Sequence, residues 1–173
     1  QMKQNSRDGL GQLKTANFEY IGVFRENKRH GMGTCFFANG SFYSGPWRHD
    51  KMDTKFDQNK HGIVGRSMVA PEGIFISANA TERYVGDFYH DTYSGKGVLY
   101  QETDEPDFTI QIYTGDFLKG RPRGLGDVTV IRNALNPTLF TYRNTSLKKY
   151  KNFNPFFQAN ILFPALSATS SNN

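Results

Sequence analysis

Four histidines and one cysteine are the side chains of this 173-residue sequence best suited to hold a metal or to serve as base and nucleophile, and their spacing gathers none of them. His30, His49, His61 and His90 are scattered along the chain, and Cys35 has no second cysteine with which to complete a zinc site. His30 and His90 fall in or beside polar turns, where a solvated imidazole is the ordinary state. Gly95-Lys96-Gly97 has the outline of a nucleotide loop but lacks the upstream glycine and the following hydroxyl that a phosphate cradle needs. Neither a Gly-x-Ser-x-Gly elbow nor a Cys-x-x-Cys pair is present. Glu102, Asp104, Glu105 and Asp107 cluster around Pro106 at a spacing that fits no calcium loop and reads as an acidic hairpin tip. The expectation is a chain that is not an enzyme and uses no cofactor or metal.

What the sequence does repeat is architectural. An aromatic, a glycine two residues on, an aromatic two further, then a glycine pair recur as Tyr20, Gly22, Phe24, Gly31, Gly33; as Tyr84, Gly86, Phe88, Gly95, Gly97; and as Tyr113, Gly115, Phe117, Gly124, Gly126. A fourth copy begins with Tyr43, Gly45 and Trp47 but carries Thr54 and Phe56 where the glycine pair belongs. Gly9 and Gly11 precede Tyr20 much as Gly31 and Gly33 precede Tyr43, so the chain is expected to open inside a copy. Recurrence at fixed internal spacing specifies an array before it specifies chemistry.

Within one copy, Phe18, Tyr20, Gly22 and Phe24 alternate with Glu19, Ile21 and Val23, the period-two pattern of a strand. Polar residues from Arg25 to His30 interrupt it, Gly31 to Phe37 is extended again, and Asn39-Gly40 supplies a tight turn. Each copy is a β-hairpin. Glycine between two aromatics leaves room for a ring from the neighbouring strand and lets backbones approach closely. Tyr20, Phe24, Tyr43, Trp47, Tyr84, Phe88, Tyr113 and Phe117 are thus expected to form a continuous row. With two strands per copy, the array advances about 10 Å per repeat.

This phrase resembles the MORN (membrane occupation and recognition nexus) repeat, whose pattern runs Tyr-x-Gly-x-aromatic, a polar turn, Gly-x-Gly and a closing Asp-Gly or Asn-Gly. Residues 20 to 40 carry it best, including Lys28-Arg29-His30-Gly31 before Gly33. The resemblance covers roughly residues 9–56 and 84–131. It implies an all-β, elongated, single-layer antiparallel sheet of stacked hairpins. The organisation expected is the second half of a repeat over 1–17, repeats over 18–56, an insertion or degenerate repeat over 57–83, repeats over 84–131, a cap or docking segment over 132–166 and a disordered tail over 167–173. Within the cap, Asn154-Pro155 reads as the start of a short helix ending before Pro164, carrying Phe156, Phe157, Ile161, Leu162 and Phe163 as a cap or partner-docking face.

Apolar residues make up 37% and aromatics 14% of the chain, which suits a thin aromatic sheet better than a thick aliphatic core. No apolar run approaches the roughly 20 residues that cross a bilayer as a helix. The single cysteine favours a reducing compartment, hence the cytosol. Two binding roles are implied. The first is a scaffold for other proteins, receiving a helix or extended segment in an aromatic groove; related repeats occur in radial spokes and cortical scaffolds, which places it in a cytoskeletal or ciliary assembly. The second is contact with anionic phospholipid. The chain carries a net charge of +5, and Arg25, Lys28, Arg29, Arg48, Lys51, Lys119, Arg121 and Arg123 fall in hairpin turns that would line one edge, with Lys148, Lys149 and Lys151 beyond. The Tyr84 copy breaks that edge with Asp87, His90 and Asp91.

Overall fold

In a computed structural model, which describes residues 2–3, 6–55, 72–103, 109–132 and 138–146, these residues form one open eleven-stranded antiparallel sheet and a separate pair of two-residue strands near the start. In chain order the strands are β1 (Met2–Lys3), β2 (Ser6–Arg7), β3 (Gly9–Lys14), β4 (Phe18–Arg25), β5 (Lys28–Phe37), β6 (Phe42–Arg48), β7 (Lys51–Met52), β8 (Gly73–Ile76), β9 (Glu82–Tyr89), β10 (Thr92–Thr103), β11 (Thr109–Leu118), β12 (Arg121–Arg132) and β13 (Thr138–Ser146). From β3 to β13 they lie side by side in sequence order, with β7 pairing only to β6. The fold is all-β, as expected; the C-terminal helix and its Phe156–Phe163 face lie outside the described residues, as do the 167–173 tail and Lys148, Lys149 and Lys151.

The hairpins close on two-residue turns in which both residues take positive φ: Glu26 and Asn27 (49° and 65°), His49 and Asp50 (48° and 69°), His90 and Asp91 (47° and 67°), Lys119 and Gly120 (51° and 77°). This is the turn whose twist matches that of the flanking strands. Opposite it, Asn39 caps its own turn: its Oδ1 accepts from the Ser41 N–H (2.9 Å), and the Gly40 N–H donates to the Phe37 carbonyl (2.9 Å).

Each turn is also clasped to the hairpin before it. Asn27 N–H donates to the Arg7 carbonyl while its Oδ1 accepts from the Arg7 N–H (3.1 and 2.8 Å). Asp50 does the same with Arg29 (3.0 and 2.9 Å), and Asp91 with Met52 (3.0 and 2.8 Å). Gly120 makes the backbone half alone, donating to the Tyr93 carbonyl at 3.0 Å. The second turn residue is therefore Asn or Asp for two reasons: tolerance of positive φ and a side-chain oxygen that reaches the previous repeat.

The fourth copy keeps this frame but interrupts it. Gly31 pairs with Trp47, and Gly95 with Phe117; in the same register the Thr54 N–H donates to the Phe88 carbonyl at 3.0 Å. Gly31, Gly95 and Gly124 take φ of 61°, 63° and 74° there and return the strand to the sheet. Thr54 does not adopt that conformation, and the second glycine of the pair is Gly73, opposite Gly86. Residues 55–72 thus stand where the other copies have one residue, Met32, Lys96 or Leu125.

Candidate functional site

The sheet's two faces are built differently, and the repeat's rings occupy only one. Phe24, Tyr20, Trp47, Tyr43, Phe88, Tyr84, Phe117 and Tyr113 form an unbroken edge-to-face row, with centroids 4.9 to 5.4 Å apart. Such contacts add to the area each ring buries. The ring over the first glycine of each phrase belongs to the tyrosine of the same strand, and it extends over the facing glycine of the next strand, where a neighbour's ring fills the gap as the spacing suggests. Tyr20 lies across Gly22 and Gly33, Tyr43 across Gly45 and Gly73, Tyr84 across Gly86 and Gly97, and Tyr113 across Gly115 and Gly126. Beyond the gap each hydroxyl donates to a backbone carbonyl: Tyr20 to Val23 (2.9 Å), Tyr43 to Pro46 (2.9 Å), Tyr84 to Asp87 (3.0 Å) and Tyr113 to Asp116 (3.3 Å).

These eight rings are buried. One layer of sheet achieves this because the second residue after two of the hairpin turns, and Arg7 on β2, roof the row. The Arg29 guanidinium lies over Trp47 at 4.2 Å and over Phe18 at 4.7 Å, Arg7 lies over Phe24 at 5.5 Å, and Tyr93 stacks on Tyr84 at 3.8 Å. The ring row is interior, and these aromatics are not an exposed docking row. Cys35 is interior too; burial pushes its thiol up to about 11 against the pull of Arg29, which leaves it unreactive.

The basic edge is partly neutralised. Arg29, buried, pairs with Asp50 at 3.2 Å; Arg48 pairs with the buried Asp53; Lys51 pairs with Asp91 at 2.7 Å. Arg25 and Lys28 face each other across the first described full hairpin, and Lys28 is exposed. Lys119, Arg121 and Arg123 are exposed together on the β11–β12 tip. The carboxylates that answer Arg29 and Lys51 are 21 and 40 residues away in sequence, being Asp50 and Asp91, and only the hairpin stacking brings them near.

The opposite face carries the apolar positions that alternate with the rings. One residue per strand, Gln12, Ile21, Thr34, Ser44, Ile74, Val85, Val98 and Thr114 follow one another in register from β3 to β11. None is charged. Ile21, Ile74, Val85 and Val98 are 50%, 40%, 37% and 39% exposed, and Leu10, Met32, Phe36 and Leu125 stand beside them half-exposed or more. Leu10, Ile21 and Met32 line a shallow depression floored by Gly11, Gly22 and Gly33. The alternation of Ile21 and Val23 with the ring residues was the signal for this face.

Among the described residues no group of three or more His, Cys, Asp or Glu side chains is placed to hold a metal. A family model for the MORN repeat matches residues 20–42, 84–102 and 113–127, the three copies with the complete phrase. No curated protein matches the chain.

Proposed function

We propose that this MORN repeat protein is a non-catalytic scaffold that binds other proteins within a cytoskeletal or ciliary axonemal assembly. The observation that carries the reading is the uncharged stripe on the face opposite the rings. A repeat array spends its aromatics on its own interior, yet Ile21, Ile74, Val85 and Val98 stay in contact with water across six consecutive strand positions. Apolar surface of that extent marks interaction sites. The ribbon form adds reach, since each hairpin contacts its neighbours and the stripe lengthens with every copy.

A second reading, contact with anionic phospholipid, rests on the exposed tip cations Lys28, Lys119, Arg121 and Arg123. Their contribution is on the order of 1 kcal/mol each near an anionic surface and falls with salt. Fractionation of cells into detergent-soluble and detergent-resistant cytoskeletal material separates the two. Retention with the cytoskeleton in high salt supports the scaffold; release by detergent, with salt-sensitive flotation on phosphatidylserine vesicles, overturns it in favour of lipid.

A further inference from the structure

We infer that the uncharged stripe packs against the same stripe of a second copy of this chain, two single-layer sheets closing face to face. The inference rests on the reading of that face as an interaction surface and names its occupant. A β-sheet with apolar side chains on both faces needs a second layer on each. Here the ring face has its roof of Arg7, Arg29 and Tyr93, and the stripe face has none among the described residues.

Area and composition favour a second copy over a transient partner. Eight apolar side chains between 37% and 74% exposed, from Leu10 to Leu125, offer on the order of 800 Å², what one partner of a standard interface buries. Interfaces between identical chains are more apolar than transient ones, whose energy is concentrated in Trp, Tyr and Arg anchors. The stripe is Ile and Val with Thr and Ser between, while Trp47 and the repeat tyrosines are spent inside. No charge stands in the row itself between Gln12 and Thr114, and of the charges that flank it on the same face Lys96 and Asp116 pair with each other at 3.3 Å, so the row can be laid on itself without burying an unpaired ion of its own. Flat pleated faces meet about 10 Å apart in this way, with β-branched side chains interleaved.

Sedimentation of the full chain over a wide concentration range tests this, beside Ile74→Lys, Val85→Lys and, on a hairpin tip outside the stripe, Leu118→Lys. The expected result is a dimer whose dissociation constant rises at least about tenfold in each stripe variant and is unchanged in Leu118→Lys. Circular dichroism identifies any lysine variant that fails to fold; Val85→Thr and Val98→Thr keep the branched shape, and weaker dimerisation in them is then the readout. A wild-type chain that is monomeric throughout overturns the proposal and leaves the scaffold reading to its own fractionation test. A dimer that the stripe substitutions do not weaken overturns it as well.

Discussion

Tyr20 and Gly33 share one volume: the tyrosine ring of β4 lies where a side chain on β5 would otherwise stand, so close that no β-carbon fits beneath its hydroxyl. The relation recurs at Tyr43 and Gly73, Tyr84 and Gly97, and Tyr113 and Gly126. The repeat's spacing follows from the reach of a tyrosine side chain over two strands.

Gly22→Val, Gly86→Val and Gly115→Val are therefore each expected to displace a tyrosine and cost about 2–4 kcal/mol, the range of core overpacking and lost ring burial. Gly124 has nothing within 4 Å of a β-carbon, so Gly124→Ala carries only the backbone cost of φ 74°, about 1 kcal/mol. Urea unfolding of the four variants measures the difference; equal losses at Gly115 and Gly124 would sink the account of the gap.

The clasp between hairpins gives an ordered series at Asp91. Asp91→Asn retains both positive φ and the Oδ1 that meets the Met52 N–H, so it loses only the Lys51 pair, well under 1 kcal/mol. Asp91→Gly loses the acceptor, about 1 kcal/mol, and gains back some conformational ease. Asp91→Ala loses the acceptor and strains the turn, and is expected to be the least stable of the three by thermal melting.

High pH is expected to unfold the array. Burial above all raises the phenols of Tyr20, Tyr43, Tyr84 and Tyr93 over the ordinary value near 10. A folded pKa above the unfolded one leaves stability whole below about pH 10 and removes it as pH rises further. Each such tyrosine takes away about 1.4 kcal/mol per pH unit beyond that point. Full phenolate absorbance should then appear only with loss of the sheet signal; ionisation of all nine tyrosines in a chain that stays folded would contradict the burial.

Cys35 is expected to resist thiol reagents at neutral pH and to react only as the sheet opens. Labelling rates should follow urea concentration with the unfolding transition, and Gly33→Ala, which disturbs the adjacent Tyr20, should accelerate them at low urea.

The hairpins and their face alternation were legible because glycine and aromatic positions are local and periodic. Four other features were not. The ring over the first glycine of each phrase comes from its own strand and not from a neighbour; sequence spacing does not say which strand's aromatic crosses a gap. The glycine partner of Gly45 is 28 residues downstream at Gly73, past an insert that a fixed repeat length hides. β13 repeats the frame in a disguised form: Tyr142 pairs with Val128 as Tyr113 pairs with Leu99, but Asn144 replaces the glycine that would have marked it. Its spacing of 29 from Tyr113, equal to that between Tyr84 and Tyr113, was the available signal. The pairing of Arg29 with Asp50 and Lys51 with Asp91 required the stacked geometry, so the tip cations looked freer in sequence than they are.

Thr54 and Gly73 meet β9 at Phe88 and Gly86, two residues apart, so the eighteen residues between them in sequence add nothing to the separation of the flanking strands. Their number is decoupled from the pitch of the array. That junction is a natural splice point: cargo of another length grafted between Lys55 and Glu72 would ride on the ribbon while the copies on either side kept their separation.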